Sequence, residues 1–202
     1  MKFLSKYRRH KLATPLLLLF ALFGIGLTFS VASATEAPKA VDAQSKSTLI
    51  EEGQQIFLKG CSSCHGLNAE GGAVAPSLIG VGAASVDFQV GTGRMPLAAP
   101  GVQAMPSMPS YNEEETAALA AYIATLGAGP GIPTAEMLDT TNAELALGGE
   151  LFRTNCAQCH GASAVGGALS EGRKAPSLMD ADAKNLYEAM VSGPQSMPVF
   201  AD

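Results

Sequence analysis

Apolar residues recur at helical spacing in several parts of this chain, and stretches rich in glycine and proline separate them. The clearest pattern covers Tyr111–Leu126, where three glutamates occupy the first turn and apolar residues follow every three or four positions. Gly127 is suited to end this helix. A shorter pattern predicts a helix over about Ala183–Val191. No segment shows the alternation typical of strands, so the predicted fold class is mostly α.

Two further helices are predicted directly before two cysteine-containing stretches. The sequence Thr48-Leu49-Ile50-Glu51 has the form of a capping box, which predicts a helix from there to Cys61. Thr141-Asn142-Ala143-Glu144 has the same form and predicts a helix that reaches Cys156.

The first 34 residues have the pattern of an export segment. Five basic residues precede an apolar run over Leu16–Phe29, and the small-residue sequence Ala32-Ser33-Ala34 follows. This run is long for a signal peptide and short for a membrane span, so cleavage after Ala34 and retention of residues 1–34 as an anchor both stay open. In either case the rest of the chain is expected outside the cytoplasm.

Charge restricts the partners that the chain could have. Without the five basic residues of the first segment, 8 basic residues face 18 acidic residues, which gives a net charge of −10. This charge disfavours nucleic-acid binding and is compatible with a basic redox partner.

The sequence after residue 47 contains an internal repeat. Gly53–Phe57 corresponds to Gly148–Phe152 at an offset of 95 residues. Ala75–Leu78 corresponds to Ala175–Leu178 at an offset of 100, so the second copy has five additional residues near Ser170–Lys174. The repeat predicts two domains, 48–128 and 141–202, with a linker over 35–47 before them and a Gly/Pro linker over 129–140 between them.

Each repeat contains one Cys-x-x-Cys-His motif, the attachment signature of a c-type haem. All four cysteines of the chain lie in these motifs, at Cys61, Cys64, Cys156 and Cys159. They are expected to form thioethers with haem, and His65 and His160 are expected to bind the two irons. A zinc knuckle would leave both histidines without a role, and a thioredoxin-like pair needs a βαβ context. The sequence therefore predicts two covalently bound haems c.

Methionine is the expected ligand on the other side of each iron, because the third histidine, His10, lies in the basic N-terminal segment. Met95 and Met197 are favoured, since each follows a short helical stretch and precedes a proline that restricts the loop. Met105 and Met108 also precede prolines and stay open as alternatives for the first haem.

Arg94, next to the first of these methionines, could neutralise a haem propionate or be a solvated surface residue.

Residues 48–202 resemble the dihaem cytochrome c subunit, cytochrome cc, of the actinobacterial menaquinol:cytochrome c reductase, also called the cytochrome bcc complex. The resemblance rests on Pro76–Gly82 and Thr92–Pro96 in the first repeat and on Gly148–Cys156 and Gly193–Pro198 in the second. It implies two tandem class I-type cytochrome c domains after the N-terminal signal or anchor segment. It also implies aerobic respiration, in which electrons from menaquinol pass through both haems to an aa3-type oxidase.

The resemblance implies three partners, namely a cytochrome b subunit, a Rieske iron–sulfur subunit and an aa3-type cytochrome c oxidase. The chain would be the electron-transfer subunit of a quinol–cytochrome c reductase, without substrate chemistry of its own. It would lie at the cell membrane with its haem domains on the extracytoplasmic side. The family continues past the second Met-Pro with a closing helix and a membrane helix, so the second domain is expected to be truncated at Asp202.

Two other functions compete with this interpretation. One is a stand-alone dihaem electron carrier without its own quinol reductase. The other is a haem enzyme such as a peroxidase, which would need an open iron site with acid–base groups nearby.

Overall fold

The structure is a computed structural model that describes residues 13–200, without the side chains of residues 13–14 and 24–43. The α-helices are α1 (Ala13–Gly60), α2 (Ser62–His65), α3 (Gly82–Gly91), α4 (Glu113–Ala124), α5 (Leu145–Leu151), α6 (Ala157–His160) and α7 (Ala183–Ser192). A π-helical turn, Phe152–Cys156, joins α5 to α6. Two short strands, β1 (Gly167–Ala168) and β2 (Lys174–Ala175), flank a 3-10 turn over Ser170–Gly172. The mostly helical fold class is confirmed.

The chain divides into two compact units, Met1–Ser47 and Thr48–Asp202. In the first unit, the described apolar side chains between Leu16 and Phe23 are exposed. None of the helices in the described part of the chain has the length and apolar character that crossing a membrane requires. Residues 1–12, which include His10 and the basic end of the predicted export segment, lie outside the described residues.

The core of the second unit forms where the end of α1 meets α4. Phe57, Leu119 and Ile123 are almost completely buried, and the ring centroid of Phe57 lies 5.5 Å from that of Tyr122. The two helices approach closely at Gly53, where an added Cβ would lie only 1.9 Å from the carbonyl oxygen of Ala118. Glycine therefore sets the distance between these helices.

Helix α3 lies between α4 and α7 and joins the two repeats. Its residues are buried or half-buried along nearly the whole helix, with Val86, Phe88 and Val90 among the most buried. A helix that packs on two sides needs an apolar surface wider than a single stripe. The sequence Ala83-Ala84-Ser85-Val86 supplies it with small and apolar side chains.

Two of the predicted helix starts are wrong. Thr48 lies inside α1, which passes through this position without a break, so no helix begins there. Helix α5 begins after Glu144 without a side-chain cap, and the Thr141 backbone N–H instead donates to Asp139 at 2.9 Å. In both places a matching four-residue pattern does not form the predicted capping box.

The helix predicted over Tyr111–Leu126 is present as α4, and its start has a capping box that the sequence analysis did not identify. The side chain of Asn112 accepts from the N–H of Glu115 at 2.9 Å, and the Glu115 carboxylate accepts from the N–H of Asn112 at 2.9 Å. The helix predicted over Ala183–Val191 is present as α7.

The five additional residues of the second repeat lie within a small hairpin that was not predicted. Strands β1 and β2 are antiparallel, with Gly167 opposite Ala175 and Ala168 opposite Lys174. Strands of two residues are too short to produce a recognisable alternation in the sequence.

Candidate haem-binding sites

Each Cys-x-x-Cys-His motif folds as a short helical turn. In the first repeat, the N–H of His65 donates to the carbonyl of Cys61 at 3.0 Å, directly after α1 ends. In the second repeat the π-helical turn ends at Cys156, and α6 continues to His160. Residues at positions i, i+3 and i+4 share one face of a helix, so both cysteines and the histidine of each motif lie on the same side.

Each histidine is oriented by a proline carbonyl from the same repeat. Nδ1 of His65 lies 2.8 Å from the carbonyl oxygen of Pro76, and Nδ1 of His160 lies 2.9 Å from that of Pro176. Because a carbonyl oxygen only accepts, Nδ1 must carry the proton in this arrangement. The lone pair is then on Nε2, which is the state that an imidazole needs to bind a metal ion.

The loop between histidine and proline also has the same backbone bonds in both copies. The N–H of Gly71 donates to the carbonyl of His65 at 2.7 Å, and the N–H of Gly166 donates to that of His160 at 2.8 Å. Both glycines have positive φ, at 79° and 87°, which favours glycine at these positions. The sequence repeat therefore corresponds to a repeated structure around each motif.

The first site lies against the core formed by α1 and α4. Cys61 and Met95 both pack against the cluster that contains Phe57, and burial raises the pKa of the Cys61 thiol. The alternative methionines of this repeat are more exposed, with 54% of Met105 and 89% of Met108 accessible. Met95 and Cys61 therefore pack against the same core cluster.

The second site is a cavity of about 540 Å³ in which the four predicted residues of the second repeat meet. Cys156, Cys159, His160 and Met197 all line it. His160 is only 9% exposed, and burial raises the pKa of the Cys156 thiol.

Two further methionines, Met105 and Met190, line the same cavity. The sequence analysis missed both as neighbours of this site. Met190 lies on α7, and Met105 comes from the first repeat, 51 residues before Cys156. No sequence signal connects Met105 with this site, because only the docking of the two repeats brings them together.

The second cavity fits a haem c in size and in chemistry. Its volume lies within the range of about 300–1,000 Å³ that small-molecule and cofactor sites occupy. Apolar side chains form much of its wall, with Leu169, Leu178, Leu186 and Phe200 among them. The donors present are two thiols, an imidazole and thioethers, which are the groups that hold a c-type haem. Among the described residues, no group of three or more His, Cys, Asp and Glu side chains is placed to hold a metal ion.

An acidic cluster lies between α3 and α7, next to this site. Lys184 forms an ion pair with Asp87, and the Glu188 side chain beside them is completely buried. Burial is the main reason that the pKa of Glu188 rises to about 8, and the Asp87 carboxylate raises it further.

Comparison with known proteins agrees with this architecture. Residues 50–127 match the family described as Cytochrome c, and residues 143–202 match the family described as Cytochrome C oxidase, cbb3-type, subunit III. The prediction of two cytochrome c domains is confirmed.

Three relatives share the name cytochrome bc1 complex cytochrome c subunit. The protein from Corynebacterium efficiens is 39% identical over 209 residues, which cover 96% of this chain and 70% of the relative. The protein from Mycobacterium leprae is 43% identical over 193 residues, with coverage of 93% and 66%. The protein from Mycobacterium tuberculosis strain H37Rv is 40% identical over 200 residues, with coverage of 96% and 71%. The chain therefore belongs to the family of cytochrome c subunits of the cytochrome bc1 complex.

Proposed function

We propose that this chain is a dihaem c-type cytochrome that passes electrons from a quinol-oxidising cytochrome b and Rieske assembly to a terminal aa3-type oxidase in aerobic respiration. The observation that carries the proposal is the duplicated histidine arrangement, in which His65 and His160 each place Nδ1 within 2.9 Å of a proline carbonyl. This duplication supports the proposal because it leaves the Nε2 lone pair of each histidine available to a metal ion, directly beside a cysteine pair.

The proposal assigns a set of ligands to each repeat. Thioethers to haem c would form at Cys61 and Cys64 in the first repeat and at Cys156 and Cys159 in the second. The iron ligands would be His65 with Met95, and His160 with Met197. When bound, each haem supplies a one-electron redox couple, and a methionine–histidine ligand pair raises its potential. The protein contributes the covalent attachment, the orientation of each imidazole and the apolar surroundings.

The choice of Met197 over the two other methionines of the second cavity is supported by its surroundings. Met197 is half-buried in the loop after α7, where its N–H donates to the carbonyl of Pro194 at 3.1 Å. Met105 is 54% exposed and Met190 is 40% exposed. Met197 also holds the position in the second repeat that Met95 holds in the first, since each precedes a proline after a short helix.

The partners follow from the family. Relatives carry the name of a subunit of the cytochrome bc1 complex, which supports association with the other subunits of such a complex. We propose a cytochrome b subunit and a Rieske iron–sulfur subunit as donors, and an aa3-type oxidase as acceptor. In this arrangement the chain is the electron-transfer subunit of a membrane quinol–cytochrome c reductase, with the domains 48–128 and 141–202 on the extracytoplasmic side.

The assembly is tested by purification from native membranes. A tagged chain is solubilised in mild detergent, and a reduced-minus-oxidised spectrum of the purified material is recorded. We expect the bands of b-type and a-type haems beside the c-type band. A c-type band alone would contradict the proposed assembly and would favour a stand-alone dihaem carrier.

The ligand assignment is tested with methionine variants. Met95→Ala and Met197→Ala should each lower the potential of one haem and create a site that binds carbon monoxide. Met108→Ala is the matched control, because Met108 is 89% exposed and should leave both potentials unchanged. Unchanged potentials in Met95→Ala would contradict the assignment of the first ligand.

A further inference from the structure

The second cavity is not enclosed by the second repeat alone. Residues between Phe88 and Pro106 of the first repeat form one of its walls, with Arg94 and Met105 among them. The site that contains Cys156 and His160 is therefore completed by the neighbouring domain.

Two glutamines hold this wall in place by bonding to the backbone of the opposite repeat. The side chain of Gln103 donates to the carbonyl of Lys174 at 2.7 Å and accepts from its N–H at 2.9 Å. In the opposite direction, the side chain of Gln195 accepts from the N–H of Ala104 at 3.0 Å and donates to its carbonyl at 3.0 Å. Each glutamine side chain thus bonds to both the N–H and the carbonyl of one residue in the opposite repeat. These four hydrogen bonds hold the first repeat in position at the cavity.

Arg94 is a half-buried cation at this cavity. Its guanidinium carbon lies 4.5 Å from the centroid of the Phe88 ring, and burial lowers its pKa. The ion pairs among the described side chains join Arg173 to Glu171 and Lys184 to Asp87, so Arg94 has no carboxylate partner among them. A planar guanidinium with five donors is well suited to bind a carboxylate in two places.

We propose that Arg94 of the first repeat is a binding residue for the second haem and pairs with a propionate carboxylate inside the cavity of the second repeat. This inference rests on the proposed function, because it requires a haem at Cys156 and Cys159. A positive charge near the iron stabilises the reduced state, which carries less positive charge than the oxidised state. Arg94 therefore raises the potential of the second haem.

Under this assignment, two consecutive residues, Arg94 and Met95, contact different haems. Met95, the proposed ligand of the first haem, directly follows Arg94, and the Cα atoms of consecutive residues lie about 3.8 Å apart. Residue 95 faces the core of the first repeat, while residue 94 lines the cavity of the second. The dipeptide thus connects the two sites by a short covalent path.

The test is a spectroelectrochemical titration of the full-length holoprotein with Arg94→Gln and Arg94→Lys. Met197→Ala identifies which of the two midpoints belongs to the second haem. We expect Arg94→Gln to lower that midpoint, with a smaller shift for Arg94→Lys, which keeps the charge. Arg153→Gln is the matched control, because Arg153 is an exposed arginine of the second repeat that does not line the cavity.

Three results would overturn the proposal. One is no shift of the second midpoint, and another is a shift of the first midpoint that equals or exceeds it. The third is carbon monoxide binding by Arg94→Gln, which would show that an iron had lost its methionine and would attribute the shift to that loss instead of to the charge. A parent protein with fewer than two haems per chain would instead count against the proposed function, so the two failures are distinguishable.

Discussion

Gly53 offers a sharp test of the helix packing that supports the first site. A Cβ at this position would lie 1.9 Å from the carbonyl oxygen of Ala118 and 2.9 Å from Cβ of Tyr122, whereas ordinary contacts begin near 3.4 Å. The obstacle is mainly backbone, which cannot rotate away, so α1 and α4 must move apart by more than 1 Å. The Gly53→Ala substitution is therefore expected to loosen the contact between Phe57 and Tyr122.

The expected magnitude follows from the cost of overpacking. Such changes destabilise a well-packed core by about 1–3 kcal/mol, and a clash with backbone belongs at the upper end of that range. The second repeat supplies a matched control at Gly148, where an added Cβ would meet no atom within 4 Å. Gly148→Ala should stabilise by up to about 1 kcal/mol, because alanine is the better helix former inside α5.

The assay is guanidinium unfolding of the holoprotein at 25 °C, followed by circular dichroism at the helical band. We expect Gly53→Ala to be less stable than Gly148→Ala by about 2–4 kcal/mol. Equal unfolding free energies for the two variants would refute the close crossing of α1 and α4 at Gly53.

Three further predictions concern charge, capping and packing. The pKa of Glu188 is raised to about 8 from 4.5, so between these pH values the folded protein holds one more proton than the unfolded chain. The free energy of unfolding should therefore fall as the pH rises through this range, by at most about 1.4 kcal/mol per pH unit. Glu188→Gln should remove this slope in unfolding titrations from pH 5 to 9, and an unchanged slope would count against the burial of the carboxyl group. Asn112→Ala should lower the stability by about 1 kcal/mol, because the cap on α4 is lost. Asn112→Asp should retain most of the stability, because aspartate is also a good cap. Thermal melts in which the two variants behave alike would contradict the capping role. Leu119→Ala should cost about 2–5 kcal/mol in the same melts, and a loss below 1 kcal/mol would show that Leu119 is not in the core.

The candidate residues for haem attachment could be proposed from sequence because each motif is contained within five residues. In a cysteine pair followed directly by histidine, one helical turn places the three side chains relative to one another, as at Cys61–His65. The helix found at Glu113–Ala124 was also predictable, since its apolar spacing and acidic first turn both indicate the same element. Local signals that agree with one another are the ones that the structure confirms.

Signals that depend on one local pattern were less reliable. Thr48 has the form of a helix start, but the residues before it are also helical, and α1 continues through it. The docking of the repeats had no signal at all, because Gln103 and Lys174 are 71 residues apart and meet through a side-chain amide and a backbone. The wall that the first repeat contributes to the second cavity could therefore be found only from the structure.

Intact mass spectrometry of the denatured full-length chain tests the proposed cofactor content most directly, because thioether-bound haem stays attached after unfolding. The chain should carry the mass of two haems. Replacing Cys61 and Cys64 by alanine should leave one haem, on the second repeat, and replacing Cys156 and Cys159 should leave one on the first. A parent chain without covalently added haem, or a double-alanine variant that still carries two, would contradict the assignment.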